Sequence, residues 1–358
     1  MTRKKEKISV LVLGDRTDFD AYAKFNKERR LFRKKGFDYQ AVNYKRFLRG
    51  EVPPLKNKKV IVFLFFPFSY WDKHIEKKGY KGLYGNVLFR EKFLRFWRKV
   101  NSIIRRKLPD RKVLFVNSPY LNGRYRDKLV VKKKLGKTGV SQAKSYKIND
   151  ASKVLKLLDR GHNLFIKPRC GSMGKGITFL RPSDWRTNFL IRKGRIVNRI
   201  SDYGWKFRDI TGDKVFLRKL MKSDILIEEA IDPLTYKGKI IDLRIYVFMN
   251  KVIYVYPRKN DPGRIVTNIS QGAKGDPSIL LSLPGHLVKK AKRIAVKTSK
   301  ALGLSFCGVD IMLASDRRNV FVLEVNLFPG FPKRRRFNLT KRIIEELSVK
   351  IGTATIFS

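Results

Sequence analysis

Short, uninterrupted apolar runs mark the first third of the chain at residues 8–13, 59–66 and 111–116. Runs of that length without polar alternation are strands buried on both faces, the pattern of a parallel sheet. Between the last two, residues 87–107 mix apolar and basic side chains at helical spacing, as a crossover helix must. The pattern predicts a small α/β lobe over residues 1–125.

A second unit, 126–227, opens with a basic amphipathic helix over 127–139, ended by Gly136 and Gly139. A strand over 163–168 then runs into a glycine-rich turn. Residues 186–222 are basic and aperiodic and are expected to form an insertion of no assignable structure. A third unit, 228–332, is led into by a strand at 225–228 and has strands at 243–248, 251–256, 306–313 and 320–326, with one helix over 285–302. The tail, 333–358, carries the basic run Lys333 to Arg336 and a helix over 341–350. The expected fold class is α/β, built from α+β lobes.

With 358 residues and 43% hydrophobic content, the chain can bury a sizeable core. Its two cysteines, Cys170 and Cys307, support neither a disulfide framework nor a zinc cluster, and point to a reducing, cytoplasmic setting. The apolar run at 8–13 is too short for a signal-peptide core. The most apolar stretch, 60–68, contains Pro67 and falls far short of the ~20 residues that span a bilayer. No membrane span is expected. The net charge of +52, from 82 Lys and Arg against 30 Asp and Glu, surrounds the molecule with a field that attracts anions. Nucleic acid, an anionic membrane surface, an acidic polypeptide and a phosphorylated small molecule all satisfy it, and so does compositional bias without any partner.

Chemistry concentrates in three places. Strand residue Lys167 precedes a loop containing Gly171, Ser172, Met173, Gly174, Lys175 and Gly176. Glycines there let backbone N–H groups approach phosphate oxygens, with Ser172 and Lys175 adding a hydroxyl and a charge. The spacing is that of neither a Walker loop nor a dinucleotide fingerprint. Cys170 beside it is either a thiol activated by nearby lysines or a small filler. Next, Asp310, Glu324 and Asn326 lie on apolar strands, and their hard oxygen donors suit magnesium; the alternative is solvent-facing residues on an edge strand. Finally, Asp242 and Arg244 share one strand face, where an arginine can clamp a transferring phosphoryl group or simply form a surface ion pair. The three histidines, His74, His162 and His286, have no ligand or triad spacing.

The order Lys128, Lys167 with its glycine loop, Glu228 to Ile231, Asp242-x-Arg244, Arg258, Thr267-Asn268, Asp310 and Glu324-x-Asn326 resembles the ATP-grasp superfamily over residues 126–330. The segment 242–247 and the loop 171–177 look like tubulin-tyrosine-ligase motifs. Segment 268–272 and the Glu324-x-Asn326 pair also resemble ribosomal-protein glutamate ligases, and 265–272 is similar to spore-coat-associated bacterial ATP-grasp proteins. Ile240 stands where tubulin-ligase-type enzymes usually present a lysine, with Lys239 beside it, and Glu228 stands where glutamine is common.

The resemblance implies an ATP-grasp fold with an N-terminal Rossmann-like lobe in the pre-ATP-grasp position. It implies that Lys128 and Lys167 reach the nucleotide phosphates while loop 171–176 folds over them. The strand end Glu228, Glu229, Ala230 and Ile231 would hold adenine and ribose, with Asp242 also near the nucleotide. Asp310, Glu324 and Asn326 would carry one or two Mg2+ ions, for which Mn2+ can substitute. Arg258 would neutralise the γ-phosphate, and Arg244 and Asn268 would face an acyl phosphate. The implied activity joins a carboxylate, small or within an acidic peptide, to an amine at the expense of ATP. The alternatives are a kinase of a polyanionic small molecule on the same scaffold, and a nucleotide-binding protein that works through a basic RNA-binding surface.

Overall fold

A computed structural model describes residues 7–16, 19–77, 80, 82–193, 195–197, 205–332 and 337–352. The basic run 333–336 and residues 194 and 198–204 of the expected insertion lie outside the described residues.

The first sheet holds β1 (Ile8–Leu13), β2 (Phe37–Val42), β3 (Lys59–Leu64) and β4 (Lys112–Phe115) in the order β2-β1-β3-β4, all parallel. Every residue of β1 is buried, which explains its unbroken apolar run. The Val87–Lys107 helix crosses from β3 to β4 and buries Phe89, Phe93, Phe96 and Trp97 along one stripe. Strand β2 went unread in the sequence because Asp38 and Gln40 interrupt its apolar positions.

The second sheet is antiparallel, formed by β5 (Ser145–Tyr146), β6 (Leu164–Pro168), β7 (Thr178–Arg181), β8 (Asp184–Thr187), β11 (Arg208–Asp209) and β12 (Ile225–Glu229), in the order β11-β8-β7-β6-β12-β5. A small hairpin of β9 (Leu190–Arg192) and β10 (Arg195–Val197) stands apart. The described residues of the expected insertion are therefore organised. It overlaps β8, contains β11, and carries the Lys214–Met221 helix, which packs on the Ala151–Asp159 helix. Its short, charge-rich strands carried too little periodicity to be legible.

The third sheet runs β16 (Lys274–Gly275), β15 (Lys251–Asn260), β14 (Lys239–Phe248), β17 (Phe306–Leu313), β18 (Val320–Asn326), with β13 (Thr235–Tyr236) on β14. Alternation sorts its faces. Ile241, Leu243, Ile245, Cys307, Val309 and Ile311 join the core under the Gly285–Leu302 helix. Asp242, Arg244, Asp310 and Met312 consequently point the other way. A register shift between Asp310 and Ile311 brings Glu324 and Asn326 onto that same face while Val325 and Leu327 stay in the core.

The first and third sheets share a core: Ile61, Phe63 and Phe65 pack with Tyr246, Phe248 and Phe306, closed by Leu339, Ile343 and Leu347 of the terminal helix Leu339–Gly352. Asn117 pins the junction, donating to the Phe306 carbonyl at 2.6 Å and accepting from the Ser305 and Phe306 amides at 3.0 and 3.1 Å. Among the described residues, no helix is long and apolar enough to cross a membrane.

Candidate active site

Two cavities meet between the sheets. The larger, about 450 Å³, is lined by Lys167, Phe165, Phe179, Glu229, Ala230, Ile231, Asp242 and Met312 among others. The smaller, about 290 Å³, lies toward the first lobe and includes Phe66, Trp71, Phe93, Arg126 and Arg244. Lys128, Gly171, Ser172, Lys175, Arg258, Asn268, Leu323 and Glu324 line both.

The floor is a chain of ion pairs on the open face of the third sheet. Cross-strand register sets Asp242 opposite Arg258, Arg244 opposite Asp310, and Asp310 opposite Glu324. Arg244 donates from Nε and Nη2 to the two Asp310 oxygens, both at 2.7 Å. Arg258 grips Asp242 through Nε at 2.7 Å and through Nη2, which also lies 3.2 Å from Asp310 Oδ2. The Thr267 hydroxyl donates to Asp242 at 2.7 Å, and Asn326 Nδ2 donates to Asp310 at 3.2 Å. Burial pushes the Asp310 carboxyl up, but Arg244 and Arg258 outweigh it and hold it below its ordinary value. Asp310 is 3% exposed on an interior strand, so the solvent-facing reading fails for it. Arg258 is 2% exposed, and its Nη1 has no partner among the described residues. A buried guanidinium nitrogen left open beside a cavity fits an anion, because an unmet buried donor costs about 1–3 kcal/mol.

The lysines form a second charge cluster. Lys167 Nζ donates to Glu228 Oε2 at 2.7 Å, and Lys132 donates to the other oxygen. Burial raises the Glu228 carboxyl, yet Lys167 and Lys132 together bring it below its ordinary value. Glu228, expected near base and ribose, is turned to the lysines by period-two alternation, which leaves Glu229 to line the larger cavity. The Glu229 carboxylate accepts from the Tyr146 hydroxyl and lies 3.1 Å from His162 Nδ1. Burial and that bond push the Tyr146 hydroxyl up to about 12. The N–H groups of Glu229 and Ala230 are already given to the carbonyls of Lys144 and Asn163, at 2.9 and 2.8 Å. Lys128 donates to the Gly171 carbonyl and lies 3.2 Å from Glu324.

The glycine loop is latched down. Ser270 Oγ and Gln271 Nε2 donate to the Met173 carbonyl at 3.0 and 3.1 Å, and Asn188 Nδ2 to Gly174 O at 2.7 Å. Gly176 has φ +70°, and a Cβ there would stand 2.7 Å from the Phe189 ring, so glycine is required twice over. Lys175, expected to add a charge to the loop, is buried, 3.5 Å from Glu76 and over the Tyr84 ring. Cys170 is fully buried, and burial lifts its thiol to about 11, so it fills space rather than reacting.

A family model for YheC/D-like ATP-grasp proteins matches residues 117–351, well over half of the chain. The chain belongs to the YheC/D-like ATP-grasp family. It is 32% identical over 110 residues to a probable alpha-L-glutamate ligase of Vibrio parahaemolyticus, a match covering 31% of this chain and 32% of that one. The chain thus spans about a third of the length of that curated relative. Among solved structures, the ATP-grasp ligase PsnB, complexed with a phosphomimetic variant of a minimal precursor, Mg and ADP, superposes with a TM-score of 0.57. Identity is 17%, with 98% of this chain and 99% of that one covered. The D-alanine–D-alanine ligase of Bacillus anthracis gives a TM-score of 0.52 at 13% identity, covering 98% and 99%. These likenesses establish the ATP-grasp fold.

Within this ATP-grasp chain, sequence reasoning overlooked Lys132 and Arg126. Lys132 follows Lys128 by four residues on the Lys128–Gly136 helix, so a shared helical face was a readable signal. Arg126 had none. It donates to Ser172 Oγ at 2.9 Å and stacks 4.5 Å over Trp71, contacts that bridge distant parts of the chain.

Proposed function

We propose that the protein is an ATP- and magnesium-dependent ligase that joins a carboxylate to an amine through an acyl phosphate. The observation that carries this reading is the pair of cavities sharing one cationic wall, with Lys128, Arg258 and Asn268 belonging to both. In this reading the larger cavity holds ATP, its adenine against Phe165, Phe179 and Met312, and its phosphates toward Lys128 and Lys167. The smaller cavity holds the carboxylate within reach of the γ-phosphoryl group.

Glu324 lines both cavities, Asp310 the larger and Asn326 the smaller, and their oxygens suit a hard cation that also takes phosphate oxygens, with Asp310 sharing its carboxylate with Arg244 and Arg258. Bound there, magnesium would shield the β- and γ-phosphates. The chain's own residues supply the rest. Arg258 Nη1 neutralises charge on the transferring group, Arg244 and Asn268 face the acyl phosphate, and Glu228 holds Lys167 in place. The latched loop excludes water from an intermediate that water would destroy. No protein nucleophile is needed, because positioning two substrates replaces a bimolecular encounter.

The named activity of the glutamate-ligase relatives and the +52 charge both favour an acidic amino acid or acidic peptide as one of the two substrates. Two buried free thiols, Cys170 and Cys307, suit the cytoplasm. The test is release of ADP and phosphate from Mg-ATP with pooled carboxylates and amines, followed by mass spectrometry for new amides. Release that requires both substrates is expected; labelled γ-phosphate retained on a stable hydroxyl product would instead make the protein a kinase.

A further inference from the structure

The smaller cavity has a chemical character of its own. Phe19, Phe66, Phe68, Trp71, Phe93 and Phe328 line one end, and they pack ring to ring, with centroids 4.6 Å apart for Phe66–Phe68, 5.1 Å for Trp71–Phe93 and 5.5 Å for Phe66–Phe328. Beside these rings stand Asp72 and Glu76, the latter accepting from Trp71 Nε1 at 2.8 Å. An acidic side chain entering this end would lose its hydration to aromatic faces beside two carboxylates, Asp72 and the Lys175-paired Glu76. An apolar side chain packs against the rings instead.

The cavity lining also holds an unmet amide. Asn122 is 2% exposed and lines the space, yet neither its Nδ2 nor its Oδ1 has a partner among the described residues. A buried side-chain amide with both donor and acceptor unpaired is matched by a group that offers both, as another amide does in a planar, two-point pairing. Arg126 stands where the aromatic end meets the shared wall, stacked 4.5 Å over Trp71 and bonded to Ser172 of the glycine loop. Its buried Nε also has no partner among the described residues. Cations at that end fix which way a carboxylate points, namely toward the larger cavity.

We propose that the carboxylate activated by this protein belongs to an N-acylated hydrophobic amino acid, as at the C-terminus of a peptide. Its aromatic or branched side chain sits among the Phe and Trp rings, its amide pairs with Asn122, and its carboxylate faces Arg126 and the shared wall. This rests on the ligase reading above and sharpens it: an acidic amino acid, where one is used, is then the amine. The volume of about 290 Å³ suits one residue and its acyl group.

The test is calorimetric titration of the full chain, pre-loaded with magnesium and a non-hydrolysable β,γ-imido ATP analogue. N-acetylphenylalanine should bind about tenfold or more tightly than N-acetylglutamate, and about tenfold more tightly than 3-phenylpropanoate, which lacks the amide. Phe68→Ala, at a half-buried ring, should weaken N-acetylphenylalanine about tenfold with nucleotide affinity unchanged. Asn122→Leu should erase the preference over 3-phenylpropanoate while raising the melting temperature, since it removes an unpaired amide. Nucleotide binding with N-acetylglutamate equal or preferred, or with no ligand bound, overturns the inference and leaves the ligase reading standing. Failure of the nucleotide itself to bind overturns both.

Discussion

Replacing Glu228 by glutamine keeps its size and hydrogen-bonding ability but removes the charge that Lys132 and Lys167 share. Glu228 is 4% exposed, and the two lysine side chains are 15% and 18% exposed. Deleting one partner of a fully buried pair costs about 3–5 kcal/mol, and water reaching the lysines returns part of it, so about 2–3 kcal/mol is expected. For 358 residues melting as one unit, about 2.1 cal/mol/K per residue makes this a drop of about 3–4 °C. Because the folded-state carboxyl lies below its ordinary value, its stabilisation is fully present above about pH 4.5. It is lost as pH falls through the folded value, at about 1.4 kcal/mol per unit. Denaturant unfolding of both proteins at pH 7.5, 5.5 and 3.5 checks this. The stability gap should be equal at the first two and smaller at the third; a gap independent of pH, or none, refutes the charge-sharing argument.

Lys167→Ala and Glu324→Ala should each lower substrate-dependent ADP release by about 10²-fold or more with an unchanged circular dichroism spectrum; near-normal turnover would remove these residues from the site. Gly176→Ala should destabilise the chain by about 1–3 kcal/mol and weaken nucleotide binding, since its Cβ meets Phe189 at 2.7 Å and its φ is +70°. With the Cys170 thiol at about 11, about one in a thousand is ionised at pH 8, so labelling by a disulfide reagent should proceed only as fast as the protein opens. Rapid labelling under native conditions would show the thiol accessible.

Legibility in the sequence followed the length and purity of each signal. The strand Phe306–Leu313 and the helix Gly285–Leu302 were delimited correctly because each repeats its period for at least four cycles against one core. Strand β2 and the strands beside Trp185 alternate with polar residues and are short, so propensity alone did not reveal them. Within the site, counting in twos put Glu324 and Asn326 on one face, while the register shift that brings that face to Asp310 left no local signal. What the polar side chains touch left none either. Glu228 reaches Lys132 across 96 residues and Lys175 reaches Glu76 across 99, and such pairings are set by how sheets pack, which no local pattern encodes. The aromatic end of the smaller cavity was hidden for the same reason: its rings looked like ordinary core until the sheets enclosed a space beside them.

The core shared by the first and third sheets has a practical consequence for anyone dissecting this molecule. Residues 117–351 match the family, but an expression boundary drawn at 117 would cut through a single packed interior. Phe248, Phe306 and Ile343 would lose Ile61, Phe63 and Phe65 and be left as a bare greasy surface, prone to clump. Swapping the opening lobe for that of a cousin would fail similarly unless the terminal helix and both facing strands travelled with it.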